Sequence, residues 1–115
     1  GMPGVQTIFP VMIDHVNNGK LTLNQLINLM CENPCRIFGI KNKGYIKEGY
    51  DADLTIVDMN KEVTIKNEMI ASKCGWTPFH NYKVKGFPVG TIINGILVMG
   101  DGKVIVESKG KPLSF

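Results

Sequence analysis

The sequence has one arginine, two histidines, three cysteines and one tryptophan among 115 residues. Each scarcity excludes something. Twelve scattered lysines and a net charge of only +3 make no dense, arginine-bearing stripe of the kind that neutralises a phosphate backbone, so no nucleic-acid partner is expected. No apolar run approaches the ~18 residues of a membrane span, and no charged segment leading into an apolar stretch marks a secretory leader. Three cysteines, an odd number, do not make a disulfide framework. That is the profile of a reduced, cytoplasmic protein with no membrane partner. His15 and His80 are far apart in sequence and form no His-x-His pair, so a metal cage has few imidazoles to draw on. The length admits one small domain or a piece of a larger one, and a closed eight-stranded (β/α) barrel of about 250 residues does not fit.

What is present reads as a folded chain, 43% apolar and 20% charged, well outside the disordered range. Ile8, Phe9, Val11, Met12, Ile13 and Val16 recur at helical spacing and predict a helix. Thr7 is the expected N-cap, Pro10 sits near the first turn, and Asn18-Gly19 supplies a left-handed stop. Thr22 to Gln25 reads as a capping box opening a second helix, with Leu23, Leu26, Ile27 and Met30 as its buried stripe. Asn33-Pro34 starts a further short turn, carries Ile37 and Phe38, and stops at Gly39.

Beyond Gly44 the period becomes twofold. Asp53 to Asp58 and Glu62 to Ile65 are strand candidates. Residues 66–88, with Gly75, Pro78, Gly86 and Pro88, are expected to be mostly irregular, with a short helix near Glu68 to Ser72. Val89 to Ile93, Ile96 to Met99 and Lys103 to Val106 are apolar runs joined by Asn94-Gly95 and Asp101-Gly102. Both dipeptides accept the positive φ of tight hairpins, so a three-stranded meander is predicted. Helices followed by antiparallel strands define an α+β order. The helical face of Ile8, Phe9, Met12 and Ile13 needs a cover that so small a chain is not expected to provide.

Three ordered blocks then carry a resemblance. Gly44 to Asp58 (GYIKEGYDADLTIVD), Asn33 to Gly39 (NPCRIFG) and Thr91 to Gly95 (TIING) resemble successive segments of metal-dependent cyclic amidohydrolases. Gly4-Val5-Gln6-Thr7 with Phe9-Pro10, and Ser72 to Phe79 (SKCGWTPF), are similar to dihydroorotase segments in particular; allantoinases carry a related Thr-Pro-Phe. The resemblance implies the C-terminal part of a dihydroorotase. Residues 1–40 would be a helical remnant of the barrel, and residues 41–115 a portion of the small antiparallel β-sandwich beside it, an incomplete amidohydrolase fold.

The activity so implied is the reversible cyclisation of N-carbamoyl-aspartate to dihydroorotate in pyrimidine synthesis. It depends on zinc held by histidines, a lysine and an aspartate, so that bound water ionises near neutrality. None of those ligands matches a position here. No catalytic residue and no metal ligand is therefore assigned, no cofactor is expected in this chain, and zinc belongs to the parent enzyme. One substrate contact carries over by register: Gly1, whose backbone would help hold the substrate ring, with Pro3 and Gly4 shaping the loop. Gly1 ahead of Met2 also reads as a tag-cleavage scar.

Other candidates read as structural. His15 is expected at the surface or capping a helix, and His80 in a solvated loop. Cys31 and Cys35 lack the further pair that zinc needs and, with Cys74, are expected to be buried, inert thiols. Asp51 and Asp53 share a strand face, as an acid and base would, but are expected to organise a turn. Unpaired strand edges predict self-association. The missing barrel portion and aspartate transcarbamoylase are the other partners considered. A non-catalytic structural or partner-binding module, and a piece of an allantoinase or dihydropyrimidinase, stand as alternatives.

Overall fold

The computed structural model describes residues 1–106 and 110–115; the part of the C-terminal assignment on residues 107–109 lies outside them. In chain order come α1 (Ile8–Asn17), α2 (Leu23–Ile27), a π-helical turn (Asn28–Glu32), α3 (Asn33–Phe38), β1 (Leu54–Thr64), a 3-10 turn (Asn67–Met69), β2 (Lys83–Ile93), β3 (Ile96–Gly100) and β4 (Lys103–Val104). The strands form one sheet in the order β1-β2-β3-β4, with β2–β3 and β3–β4 antiparallel. The architecture is α+β. Among the described residues no helix is long and apolar enough to cross a membrane.

Contacts divide the chain into two units. One comprises residues 1–22 and 58–87, the other residues 23–57 and 88–115. In the first, α1 turns Val11 and Ile13 inward. Val11, Ile65 and Val84 make a buried core, with Val63, Phe79 and Phe87 packed against it. Thr7 stands at the N-cap, but its side chain makes no capping bond. Its backbone is already helical there, and its buried hydroxyl instead points to the Gly4 carbonyl oxygen at 3.5 Å. Ile13, expected to need an outside cover, is 1% exposed. Gly86 lets the neighbouring strand come in: a Cβ on Gly86 would lie 2.1 Å from Ile13 Cγ2.

In the second unit α2, the π turn and α3 run on without a break from Leu23 to Phe38. The segment read as a short turn is thus a helical continuation. Pro34 removes one helical donor, and its ring crowds the carbonyl four residues back. The wider π turn just before it is a usual way for a helix to absorb such a defect. Gly39, at φ +66°, ends the run. The expected buried stripe is corrected: Leu26 is 1% exposed, but Leu23 and Ile27 are exposed, because one turn of the helix turns only Leu26 fully inward.

The two strands expected over 53–65 are a single strand, β1. It stands at a sheet edge, where polar Asp58, Asn60, Lys61 and Glu62 stay in water without ending the pairing. The irregular reading of 66–88 also gives way at its end, since β2 starts at Lys83. Gly86 and Pro88 read as breakers, yet a strand tolerates proline near an irregularity, and Gly86 supplies one at φ +97°. The meander has the expected order, although its last strand ends at Val104 instead of Val106. Asn94 and Gly95 (φ +50° and +79°) and Asp101 and Gly102 (φ +49° and +76°) each form the two-residue turn with both φ positive. The register they set pairs Ile93 with Ile96 and Gly100 with Lys103.

Candidate functional site

The segment leading into α1 is built on backbone. The Gly4 carbonyl oxygen accepts the N–H groups of Thr7 (3.1 Å) and Ile8 (2.9 Å). Gln6 acts as a two-pronged clamp: its Nε2 donates to the Met69 carbonyl oxygen at 2.6 Å, and its Oε1 accepts the Ala71 N–H at 2.9 Å. Gly1, the one assigned substrate contact, is exposed with open space around its Cα.

The segment Ser72 to Phe79 hangs on Asn67. The Asn67 side-chain oxygen accepts the Thr77 N–H at 2.9 Å, while the Asn67 N–H donates to His80 Nδ1 at 3.0 Å. Buried Thr77 accepts the Phe79 N–H on its hydroxyl at 3.1 Å. His80 is exposed, as expected, but its Nδ1 is committed to this loop. Cys74 is exposed rather than buried. The Ser72 hydroxyl, 3.3 Å from its sulfur, is the main cause holding that thiol below its ordinary pKa. On α1, half-buried His15 keeps its Nδ1 buried without a hydrogen-bond partner.

Asp51 and Asp53 meet Lys43. The Lys43 ammonium pairs with Asp51 at 3.0 Å and also with Asp53. Asp53 Oδ1 accepts the Asn94 N–H at 2.9 Å, and the Ala52 carbonyl accepts Gly95 N–H at 3.0 Å, so the carboxylate braces the β2–β3 turn. Lys43 chiefly, and the Asn94 N–H after it, hold the Asp53 carboxyl below the usual carboxylate range. The carboxylates of Asp53 and Asp51 in turn raise the pKa of Lys43. Both acids are engaged by Lys43, and Asp53 also holds the turn.

Sequence reasoning missed Lys43, Asn67 and the buried Asp14. Asp14 alone left a trace, as a charge among apolar positions of α1. Its Oδ1 accepts the Lys85 N–H at 2.9 Å and its Oδ2 the Asn18 side-chain N–H at 3.1 Å. Among the described residues no three His, Cys, Asp or Glu side chains converge as a metal site would require. The zinc site implied by the resemblance does not fit the residues present.

These braced loops fall within residues 5–101, which match the Amidohydrolase family model, and the chain belongs to that family. It is 45% identical over 111 residues to the dihydroorotase of Pyrococcus furiosus, covering 96% of this chain and 27% of that protein. It is 38% identical over 109 residues to the L-hydantoinase of Paenarthrobacter aurescens, covering 93% of this chain and 24% of the relative. The solved structure of an L-hydantoinase (dihydropyrimidinase) from Arthrobacter aurescens superposes with a TM-score of 0.89 at 38% identity, over 93% of this chain and 24% of that one. The chain spans about a quarter of the length of the relatives it matches.

Proposed function

We propose that this chain is the C-terminal segment of a dihydroorotase-type cyclic amidohydrolase, and that it does not catalyse alone. The observation that carries this reading is the identity of 45% spread over 96% of the chain but only 27% of the dihydroorotase. The exposed apolar side chains of α2, the π turn and α3 support a helical run that covers a barrel formed by the rest of such an enzyme. The strands supply part of the sandwich beside it. In that assembly zinc comes with the remaining three quarters, where it would ionise water and polarise the amide carbonyl. The part proposed for this chain is positional: Gln6 and Asn67 hold loops, and the backbone at Gly1 borders the substrate ring. Partners follow from the same reading, namely the missing barrel or, without it, a second copy.

The test is complementation. The chain alone is expected to hold no stoichiometric zinc and to turn over neither carbamoyl-aspartate nor dihydroorotate. Mixed with the Pyrococcus furiosus dihydroorotase shortened by the matched segment, it is expected to restore ring closure. Turnover by the isolated chain, with one or two zinc ions bound, would overturn the proposal. A hydantoinase is the second reading, favoured by the TM-score of 0.89 and 38% identity to an L-hydantoinase. The same test with the matching portion of that enzyme, and a hydantoin as substrate, separates the two.

A further inference from the structure

Cys31 and Cys35 are four residues apart, where the π turn Asn28–Glu32 passes into α3. Residues so spaced share one helix face, with Cβ atoms about 5–6 Å apart, and helical side chains lean back toward the N-terminus. A Cβ on Gly44 would meet the Cys31 carbonyl oxygen and Cys35 Sγ, each at 2.9 Å, so Gly44 packs against both cysteines at once. Both are free thiols, Cys31 exposed and Cys35 half-buried. Gly44 has no side chain to lie over them. Although Cys31 as a residue is exposed, partial burial of its sulfur is the leading cause raising its pKa, followed by Cys35 and Glu32.

Ligand count decides what such a pair can hold. Structural zinc needs four donors, and among the described residues no third His, Cys, Asp or Glu joins these two. A soft ion content with two opposed sulfurs has no such need. Two metal–sulfur bonds of ~2.3 Å, the length in zinc thiolates, span about 4.6 Å, within what Cβ atoms ~5–6 Å apart can present. Thiolates select Cu(I) over hard ions. We propose that Cys31 and Cys35 form a two-coordinate site for a soft monovalent cation of the Cu(I) class. Binding replaces two S–H bonds by two metal–sulfur bonds and releases two protons, so the bound site carries a net charge of −1 and its affinity rises with pH. This site is independent of the amidohydrolase assembly and requires only the chain itself.

The experiment is an anaerobic titration of the full chain with Cu(I) against a chromophoric Cu(I) chelator. One ion per chain is expected, with affinity unchanged in Cys74→Ser and weakened at least ~100-fold in Cys31→Ser and in Cys35→Ser. Half an ion per chain, unchanged affinity in either of the last two variants, or loss in Cys74→Ser overturns the site. A second measurement needs no variant. With one equivalent of Cu(I), Cys31 and Cys35 are expected to escape alkylation by N-ethylmaleimide while Cys74 reacts. Alkylation of all three, or protection of Cys74, would count equally against it.

Discussion

Residues 1–22 and 58–87 enclose Val11, Ile65 and Val84 in a core and tie their backbone down with polar side chains. Residues 23–57 and 88–115 bury Leu26 and Val98 but leave Leu29, Ile37, Phe38 and Ile46 in water. Ile37 is 66% exposed and Phe38 67%. In the first unit polar side chains tie distant backbone together: Asp14 takes the Lys85 N–H, and the Asn17 side-chain amide donates to the carbonyls of Met59 (3.0 Å) and Lys85 (2.6 Å). In the second, local geometry is just as regular, yet Leu29, Ile37 and Phe38 of the helical run stay exposed. Regular secondary structure and a finished surface are thus separate properties.

The strongest way to break the first unit is at Gly86. In Gly86→Val the new side chain would enter the space of Ile13 at a φ of +97°. Overpacking and left-handed strain together are expected to cost about 4 kcal/mol, read as a lower urea midpoint or no cooperative unfolding at all. In the second unit Leu26→Ala removes a side chain that is fully enclosed, with an expected loss of about 3 kcal/mol. Equal stability of that variant and the wild-type chain would show that Leu26 is not a core residue. Asp14→Ala strands the Lys85 N–H and is expected to cost about 1–2 kcal/mol. Asp14→Asn keeps an acceptor and is expected to recover most of it.

Smaller effects sharpen the comparison. Lys43→Met removes both ion pairs, but the Asp53 side chain is about a third exposed, so solvent screening leaves only a few tenths of a kcal/mol. The sign with pH is fixed by the direction of each shift. Asp53, depressed when folded, stabilises above its unfolded pKa of ~3.9, and that share fades as pH falls through the lower folded value. Lys43, raised when folded, stabilises below its unfolded ~10.4 and loses that share as pH rises through its folded value. Urea titrations at pH 7 and pH 3 are expected to differ less in Lys43→Met than in the wild-type chain. Smallest of all, Ile37→Ser is expected to change the isolated chain by less than ~0.5 kcal/mol. The same change is expected to weaken assembly with the complementary part of a relative. A large loss in the isolated chain would place Ile37 in a core and remove the contrast between the units.

Much of this was legible in the residues. Helical periodicity marked α1 and α2, and Asn94-Gly95 and Asp101-Gly102 marked both hairpins. The blocks from Asn33 to Gly95 pointed to the family. These are local signals, carried by spacing and by backbone conformations that few residues adopt. Less visible was anything that depends on a distant neighbour. Gly86 and Pro88 read as breakers because their place in β2 depends on what lies opposite. Asp14 drew no reading of its own, because its partner is 71 residues away. The structural reading of Asp51 and Asp53 was available, but Lys43, which joins them, was not.

By itself, then, the sequence determined the order of elements, the turns and the membership of an amidohydrolase family, since propensity, turn chemistry and motif spacing are written within a few residues. Tertiary structure alone decided which apolar side chains are enclosed, which carboxylates are engaged and which thiols face solvent. Burial and pairing free energies arise between segments far apart in the chain, and no local pattern records which segments will meet.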